Sequence, residues 1–357
     1  MEMETQEQFG FDTSEFEIYC GCYNDAELVK SSASGGAATA ISEWILSLGG
    51  SVFGAVYSQD FKSAHYGCAE TSKELVKFQS SKYISTDKKV RVENEWVPVY
   101  SMVEEKLCQG KYVLFTGLGC DVAALQKYLQ NRNITSERLY TVDLICHGPT
   151  YPEVQKQYIE RLERKYRSRV KSFSVRYKKL GWKPPFIHAE FENGKVFEER
   201  FYESDFGFAF QNYSKESCYQ CKFKGCNHCA DLTLGDYWGC VAGMPEYNPD
   251  GVSLFLCRTA KGRELVHALE QADCFTVLPA DMQLAMENNP MFYKSRKKNP
   301  ERCEAFRRDM EKNGLHYAVT QNSGYKVYRK RKVKRIIKDL LSTNLLQIHK
   351  RPAGNKE

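Results

Sequence analysis

The sequence predicts an α/β protein: a mostly parallel sheet with flanking helices, plus an antiparallel hairpin region and a Cys-rich segment. Three observations predict it. Between Ala37 and Tyr166 short apolar runs alternate with amphipathic runs of helical period, the pattern of a parallel sheet with crossover helices. Asn193-Gly194 interrupts the alternating stretch from His188 to Arg200, a strong hairpin signal. Ser217 to Cys240 then holds five cysteines in 24 residues, two pairs of them spaced C-x-x-C, and includes a strand-like ADLTLGDYWG.

The elements follow in order. Residues 1–17 read as a polar lead, and from Cys20 the alternation begins. Ala37 to Leu48 has apolar residues at helical spacing and is stopped by Gly49-Gly50. Ser51 to Tyr57 and Ala64 to Ala69 are strands, and Val99 to Leu107 is a helix ending at Gly110. Lys111 to Thr116 and Leu139 to Ile145 are buried-type strands, followed by helices at Asp121 to Gln130 and Pro152 to Tyr166. Lys171 to Tyr177 alternates like a strand, Gly251 to Arg258 is one more strand, and Lys261 to Gln271 is a helix. Beyond Pro300 the chain is helical and charged. With no repeat, low-complexity tract or clean linker, residues 18–325 read as one elaborated domain and 326–357 as a basic helical tail.

Composition narrows the class. Hydrophobic residues make up 42% and charged residues 27%, enough for a packed core. No stretch reaches the roughly 18 apolar residues of a membrane span, and the acidic N-terminus is unlike a signal peptide. A cytoplasmic location follows, where fourteen cysteines point to metal or redox chemistry before disulfides. The net charge of +6 divides unevenly: Lys326 to Glu357 carries eleven Lys/Arg against two acids, so the body is mildly acidic. That balance excludes a protein built around nucleic acid.

Two βα turns carry cysteine. In TGLGC, Thr116 to Cys120, two glycines turn the chain from a buried strand into a helix whose N-terminus would stabilise a thiolate. DLICHG, Asp143 to Gly148, repeats the arrangement with Cys146. In a parallel sheet the carboxyl ends of strands share one edge, so both thiols reach the same crevice. For either cysteine alone, a small buried residue in a tight turn is the simpler reading; their matched placement argues against coincidence. Cys218 and Cys221 complete a four-thiol set, which suits zinc or a [4Fe–4S] cluster. A local site of Cys218, Cys221, Cys226 and Cys229 competes, but its C-x2-C-x4-C-x2-C spacing matches neither zinc knuckles nor the ferredoxin run, so the dispersed set is preferred. SSASGGAAT, Ser31 to Thr39, leads small residues into a helix whose N–H groups suit phosphate; a plain Ser34 cap reads as well. SSKYIST and RYKKLGWK set cations beside aromatics, as phosphate-reaching groups or as solvated turns.

Taken in order, these motifs carry a resemblance. S-x-S-G-G-x-x-T (Ser32 to Thr39), SKY (Ser81 to Tyr83), T-G-x-x-C (Thr116 to Cys120), D-x-I-C-H-G (Asp143 to Gly148), R-x-K-x-x-G-W (Arg176 to Trp182), C-Y-x-C (Cys218 to Cys221) and D-x-T-x-G-D-x-W-G (Asp231 to Gly239) resemble the beta subunits of coenzyme F420 (deazaflavin) hydrogenases and dehydrogenases. The resemblance implies a flavin iron–sulfur oxidoreductase that binds FAD and passes electrons between a [4Fe–4S] cluster and a small-molecule substrate. It puts flavin phosphates near Ser34, Gly35, Gly36 and Thr39, with Ser32, Ser81, Tyr83, Thr116 and Gly117 completing the cofactor wall. Lys82 and Arg176 line the flavin or substrate pocket. Cys120, Cys146, Cys218 and Cys221 match the cluster thiols, and His147 stands beside them. Lys82, His147 and Arg176 are the catalytic candidates.

Departures from the family pattern are informative. Gly119 and Asp121 replace a usual proline and glutamine, and the carboxylate favours an oxidised cluster. Cys226 and Cys229 are extra and suit a second metal. Many relatives carry a ferredoxin module ahead of this region; here only Cys20 and Cys22 precede the SGG turn, so a separate ferredoxin or iron–sulfur partner subunit is the expected donor or acceptor. Two other classes compete: a zinc-stabilised binding protein without turnover, and a cysteine hydrolase with Cys120 as nucleophile and His147 as base. The segment from Lys326 to Lys338 reads as a basic helix for an anionic membrane surface, for an acidic partner, or for packing on the body.

Overall fold

The computed structural model describes residues 9–322 together with Val333. The basic tail therefore lies outside the described residues, apart from that one position. In chain order the elements are β1 (Glu17–Tyr23), α1 (Ala26–Ser31), α2 (Ala37–Ser47), β2 (Ser51–Tyr57), β3 (Ala64–Ala69), β4 (Asp87–Val92), β5 (Glu95–Pro98), α3 (Val99–Cys108), β6 (Val113–Leu118), α4 (Gly119–Asn131), β7 (Leu139–Leu144) and α5 (Pro152–Tyr166). The second half holds β8 (Val170–Tyr177), β9 (Phe186–Phe191), β10 (Val196–Arg200), α6 (Asp205–Asn212), β11 (Leu232–Asp236), β12 (Ser253–Cys257), α7 (Ala260–Glu270), β13 (Phe275–Pro279), α8 (Met282–Asn288), α9 (Pro300–Asn313) and α10 (Leu315–Asn322).

Ten strands form one sheet in the order β13-β1-β12-β11-β7-β6-β2-β3-β4-β5. Its centre, β11-β7-β6-β2, is parallel, as the alternation predicts. Its margins are largely antiparallel. The reason at one margin is loop length: the six residues between β2 and β3 close a hairpin, whereas a parallel return needs a dozen or more. A second sheet, β10-β9-β8, is the antiparallel hairpin region.

The central strands are mostly apolar and largely buried because both faces are covered. In β6, Leu114 faces α2 and α7, in a core with Ile41, Ile45, Leu265 and Phe255. Val113 and Phe115 face α3 and α4, with Val103, Val122 and Leu125. The three-stranded sheet packs its own core, including Phe173 and Phe191, against α5, α6, α9 and α10. The chain before β1 also contributes: Phe9, Phe11 and Phe16 are buried and meet Phe292 and Tyr293. Among the described residues no helix is long and apolar enough to cross a membrane.

β1 and β11 are both antiparallel to β12, so β1 runs in the direction of the parallel centre. The carboxyl ends of β1, β11, β7 and β6 thus lie along one edge, the place where open α/β sheets bind ligands.

Candidate functional site: a thiol-lined cavity at the carboxyl edge of the sheet

The dispersed thiols meet. Cys120, Cys146, Cys218 and Cys221 all line one cavity of about 150 Å³. Cys120 is the second residue of α4 and is the exposed member of the set. Cys146 follows β7, and its sulfur accepts the Gly148 N–H at 3.2 Å. Gly148 has φ +86°, and a Cβ there would come within 3.0 Å of the Cys218 Cβ, so glycine is required for the close approach of the two segments. Cys218 lies in a short turn (Glu216–Gln220), and the Cys221 N–H donates to Ser295 Oγ at 3.0 Å. Lys224 ties this loop to the sheet by donating to the Cys146 carbonyl at 2.7 Å.

Burial dominates the electrostatics of the cavity. Partial burial, then Asp121 and Cys146, push the Cys120 thiol up to about 12, and burial pushes Cys146 up to about 11. Cys218 is also raised, by burial and by Cys221. Cys120, Cys146 and Cys218 each resist ionisation partly because another thiol stands nearby, and a metal centre would reverse that. Lys224 and Arg296 line the same wall, and burial lowers both from their usual range. Arg296 donates to Ser214 Oγ at 2.9 Å and to the Phe210 carbonyl. His147 stands at the rim with part of its surface in solvent; loss of water around the ring, then Arg296 and Lys224, lower it to about 4.

Two buried carboxylates flank the thiols, and only one of them, Asp121, stands out in the sequence. Asp121 accepts from Tyr66 Oη at 2.9 Å and pairs with Lys88 at 2.7 Å. Its charge is therefore shared with Tyr66 and Lys88 rather than aimed at the cavity alone. Asp143 is fully buried and pairs with His228 at 2.7 Å, the His228 ring stacking on Phe292. An Asp in DLICHG and a His between two cysteines offer no periodicity that links them, so their pairing is not readable without the fold.

The SGG turn and the residues around Arg176, which the resemblance assigns to a flavin, form a second wall on the same edge. The SGG turn sits over β1 and β12: Tyr23 N–H donates to the Gly35 carbonyl at 2.9 Å, and a Cβ on Gly35 would lie 2.3 Å from the Gly21 carbonyl oxygen. Ser34 does not cap α2. Its hydroxyl donates to the Val252 carbonyl at 2.8 Å; Gly36, at φ +94°, is the N-cap, and Ser253 Oγ accepts the Ala37 N–H at 3.4 Å. Ser32 likewise donates to the Leu28 carbonyl, and Thr39 lies half-buried in the first turn. Arg176 ties this wall together. One guanidinium nitrogen donates to the Ala33 carbonyl at 2.6 Å and to Asp236 at 2.9 Å. Burial works against its charge, but Asp236 and Tyr83 outweigh it and its pKa stands above the usual value. Trp182 donates to the same Asp236 oxygen at 3.3 Å and stacks on Trp238 at 4.5 Å, with Lys183 over both rings. Lys178, which burial and Arg176 lower to about 7, donates to the Ser34 carbonyl.

The SKY segment joins this wall through Tyr83, which stacks on Phe210 at 4.6 Å beside Arg176. The Ser81 carbonyl accepts from Tyr57 Oη at 3.5 Å. Lys82 faces its own chain: its amine donates to the carbonyls of Lys77, Phe78, Gln79 and Ser80 at 2.7–3.2 Å, and burial lowers it to about 7. Thr116 and Gly117 lie apart from the SGG turn, on β6, where Gly117 abuts Tyr66 Oη; β7, β11 and β12 intervene. The local four-cysteine arrangement does not form either. Cys226 donates to the Asp12 carbonyl and packs with the N-terminal phenylalanines, whereas Cys229 donates to the Gly119 carbonyl and packs under α4. Among the described residues no three His, Cys, Asp or Glu side chains gather closely enough for a single metal ion.

The parallel centre, the thiols at its carboxyl edge and the appended three-stranded sheet define a class. Residues 110–283 match the family model for the C-terminal part of the beta subunit of coenzyme F420 hydrogenase/dehydrogenase, and over that segment the chain is similar to this family. The whole fold is similar to a chain in a solved structure, the F420-reducing [NiFe] hydrogenase complex from Methanosarcina barkeri. Identity is 20%, the TM-score is 0.51, and the match covers 77% of this chain and 89% of that one. No curated protein matches.

Proposed function

We propose that the chain is a flavin- and iron–sulfur-dependent oxidoreductase or electron-transfer subunit, with a [4Fe–4S] cluster at Cys120, Cys146, Cys218 and Cys221. The observation that carries the reading is that these four thiols, drawn from three separate segments, line one cavity. Their origin in three separate segments suits a cluster. One tetrahedral zinc would draw four sulfurs to about 3.8 Å from one another at Zn–S ≈ 2.3 Å. A four-iron cluster gives each thiolate its own iron and so a wider set of ligands. Bound there, the cluster would supply one-electron transfer, and FAD in the adjoining wall would supply hydride chemistry.

The chain's own residues have separable roles in this reading. Gly148 lets the Cys146 and Cys218 segments approach, and its N–H already points at a sulfur. Lys224 and Arg296 offset the negative charge of thiolates at the inner wall. Arg176, Lys178 and Lys183 give the second wall a surplus of positive charge that suits a diphosphate, with Asp236 holding Arg176 in place. His147, at the rim of the cavity, would donate a hydrogen bond toward a sulfur or a flavin edge in this reading. The electron partner in this reading is a separate ferredoxin or iron–sulfur subunit, and the substrate is a small molecule.

The test is purification without oxygen, with iron, sulfide, zinc and flavin assayed on one sample. About four irons per chain with matching sulfide, lost together in Cys146→Ser, is the expected result. A colourless protein with zinc and no flavin would refute the proposal.

A further inference from the structure

We infer that the mouth of the thiol cavity is the docking face for a small acidic electron-carrier protein; the inference rests on the cluster reading above. The cavity opens at Cys120, the exposed thiol of the four. Around that opening the surface has two parts. Leu144, the last residue of β7, is 38% exposed where the other five residues of that strand are buried, and it shares the mouth with the half-buried Phe223. The rim is basic. Lys215 lines the cavity, Lys222 follows Cys221 directly, and both are exposed. Among the described residues neither has an acidic partner, while the nearby Glu216 is taken by Lys298.

An apolar centre within a charged rim is the anatomy of an interface, and a small one suits transient electron transfer. The sign of the rim chooses the partner: a negative carrier is steered in and a positive one is turned away. The step balances without a proton. One electron would leave the reduced carrier, which is oxidised, and would reduce a cluster that Cys120, Cys146, Cys218 and Cys221 hold.

The experiment uses the whole protein purified without oxygen and a small acidic ferredoxin as probe. Binding is measured at about 0.02 M and about 0.5 M salt, where screening differs strongly. Carbodiimide cross-links between carrier carboxylates and protein lysines are mapped on the same complex. Lys215→Glu/Lys222→Glu should weaken low-salt binding at least about tenfold and abolish the cross-links at the cavity mouth. Lys171→Glu/Lys195→Glu, exposed on the three-stranded sheet, should change neither. Equal binding by both double variants, or cross-links mapping elsewhere, overturns the docking face alone. Iron analysis and bleaching by dithionite on the same sample report the cluster separately. A sample without iron overturns the functional reading, and the docking face with it.

Discussion

Asp236→Asn isolates the interaction on which the second wall depends. The Arg176 side chain is 4% exposed and Asp236 20%, at a separation of 2.9 Å. Among the described residues the guanidinium pairs with no other carboxylate; its further partners are the Ala33 carbonyl and Tyr83. Removing one partner of such a pair leaves a buried charge unpaired and costs about 3–5 kcal/mol. Asparagine keeps an acceptor for Arg176 and for Trp182, so the lower end, about 3 kcal/mol, is expected. Urea unfolding at neutral pH measures it. Arg176→Met/Asp236→Leu should recover most of the loss, because both charges go and the volume stays. Arg176→Lys keeps the charge but not the planar fork, and should cost about 1–2 kcal/mol. A loss below about 1 kcal/mol in Asp236→Asn would refute the reasoning, since it would mean the guanidinium finds water or another partner without penalty.

Three further outcomes are expected. Gly35→Ala should cost about 3 kcal/mol by overpacking, because the new Cβ meets backbone on both sides, the Gly21 carbonyl at 2.3 Å and Ser253 N at 2.8 Å. Gly235→Ala meets only the Ile145 side chain and should cost about 1 kcal/mol in the same urea assay. Glu70 accepts from Lys111, Lys106 and Ser51, which hold its pKa near 2. A depressed carboxylate stabilises the fold above its unfolded pKa, and that contribution is lost as pH falls from about 4.5 toward about 2. Discounted for its exposure, the loss is about 1 kcal/mol, and Glu70→Gln should flatten the stability–pH curve in that window. His228→Phe keeps the stack on Phe292 but strands Asp143, one of whose oxygens already lacks a partner; about 3 kcal/mol should be lost, and less in Asp143→Asn. The reverse order in thermal melts would refute this account of the pair.

What the sequence could show depended on whether a feature was local. Ser51–Tyr57, Ala64–Ala69 and Pro152–Tyr166 were legible to the residue because period, apolar run and stop signal lie within each segment. That Cys120 and Cys146 reach one edge was legible too, because chain direction in a parallel sheet leaves no other place for them. β1 was only half visible: Tyr19 to Tyr23 is small and mixed, and its burial comes from β12 and β13, more than 230 residues away. The SGG turn shows the limit most clearly. Its glycines were readable as a tight turn, yet Gly35 is demanded by β1 and β12, and the Ser34 hydroxyl is taken by Val252. A helix cap and a strand-to-strand tether look alike until the neighbouring strand is in place. The Arg176–Asp236 pair, 60 residues apart, is the same lesson in charge. Both ends lay inside recognised motifs, but only the fold makes one the reason for the other. The motifs thus locate the candidate groups, while Lys224 and Ser253, which hold their segments, stand outside the motifs, and the partnership of Asp236 with Arg176 becomes visible only when the sheet closes.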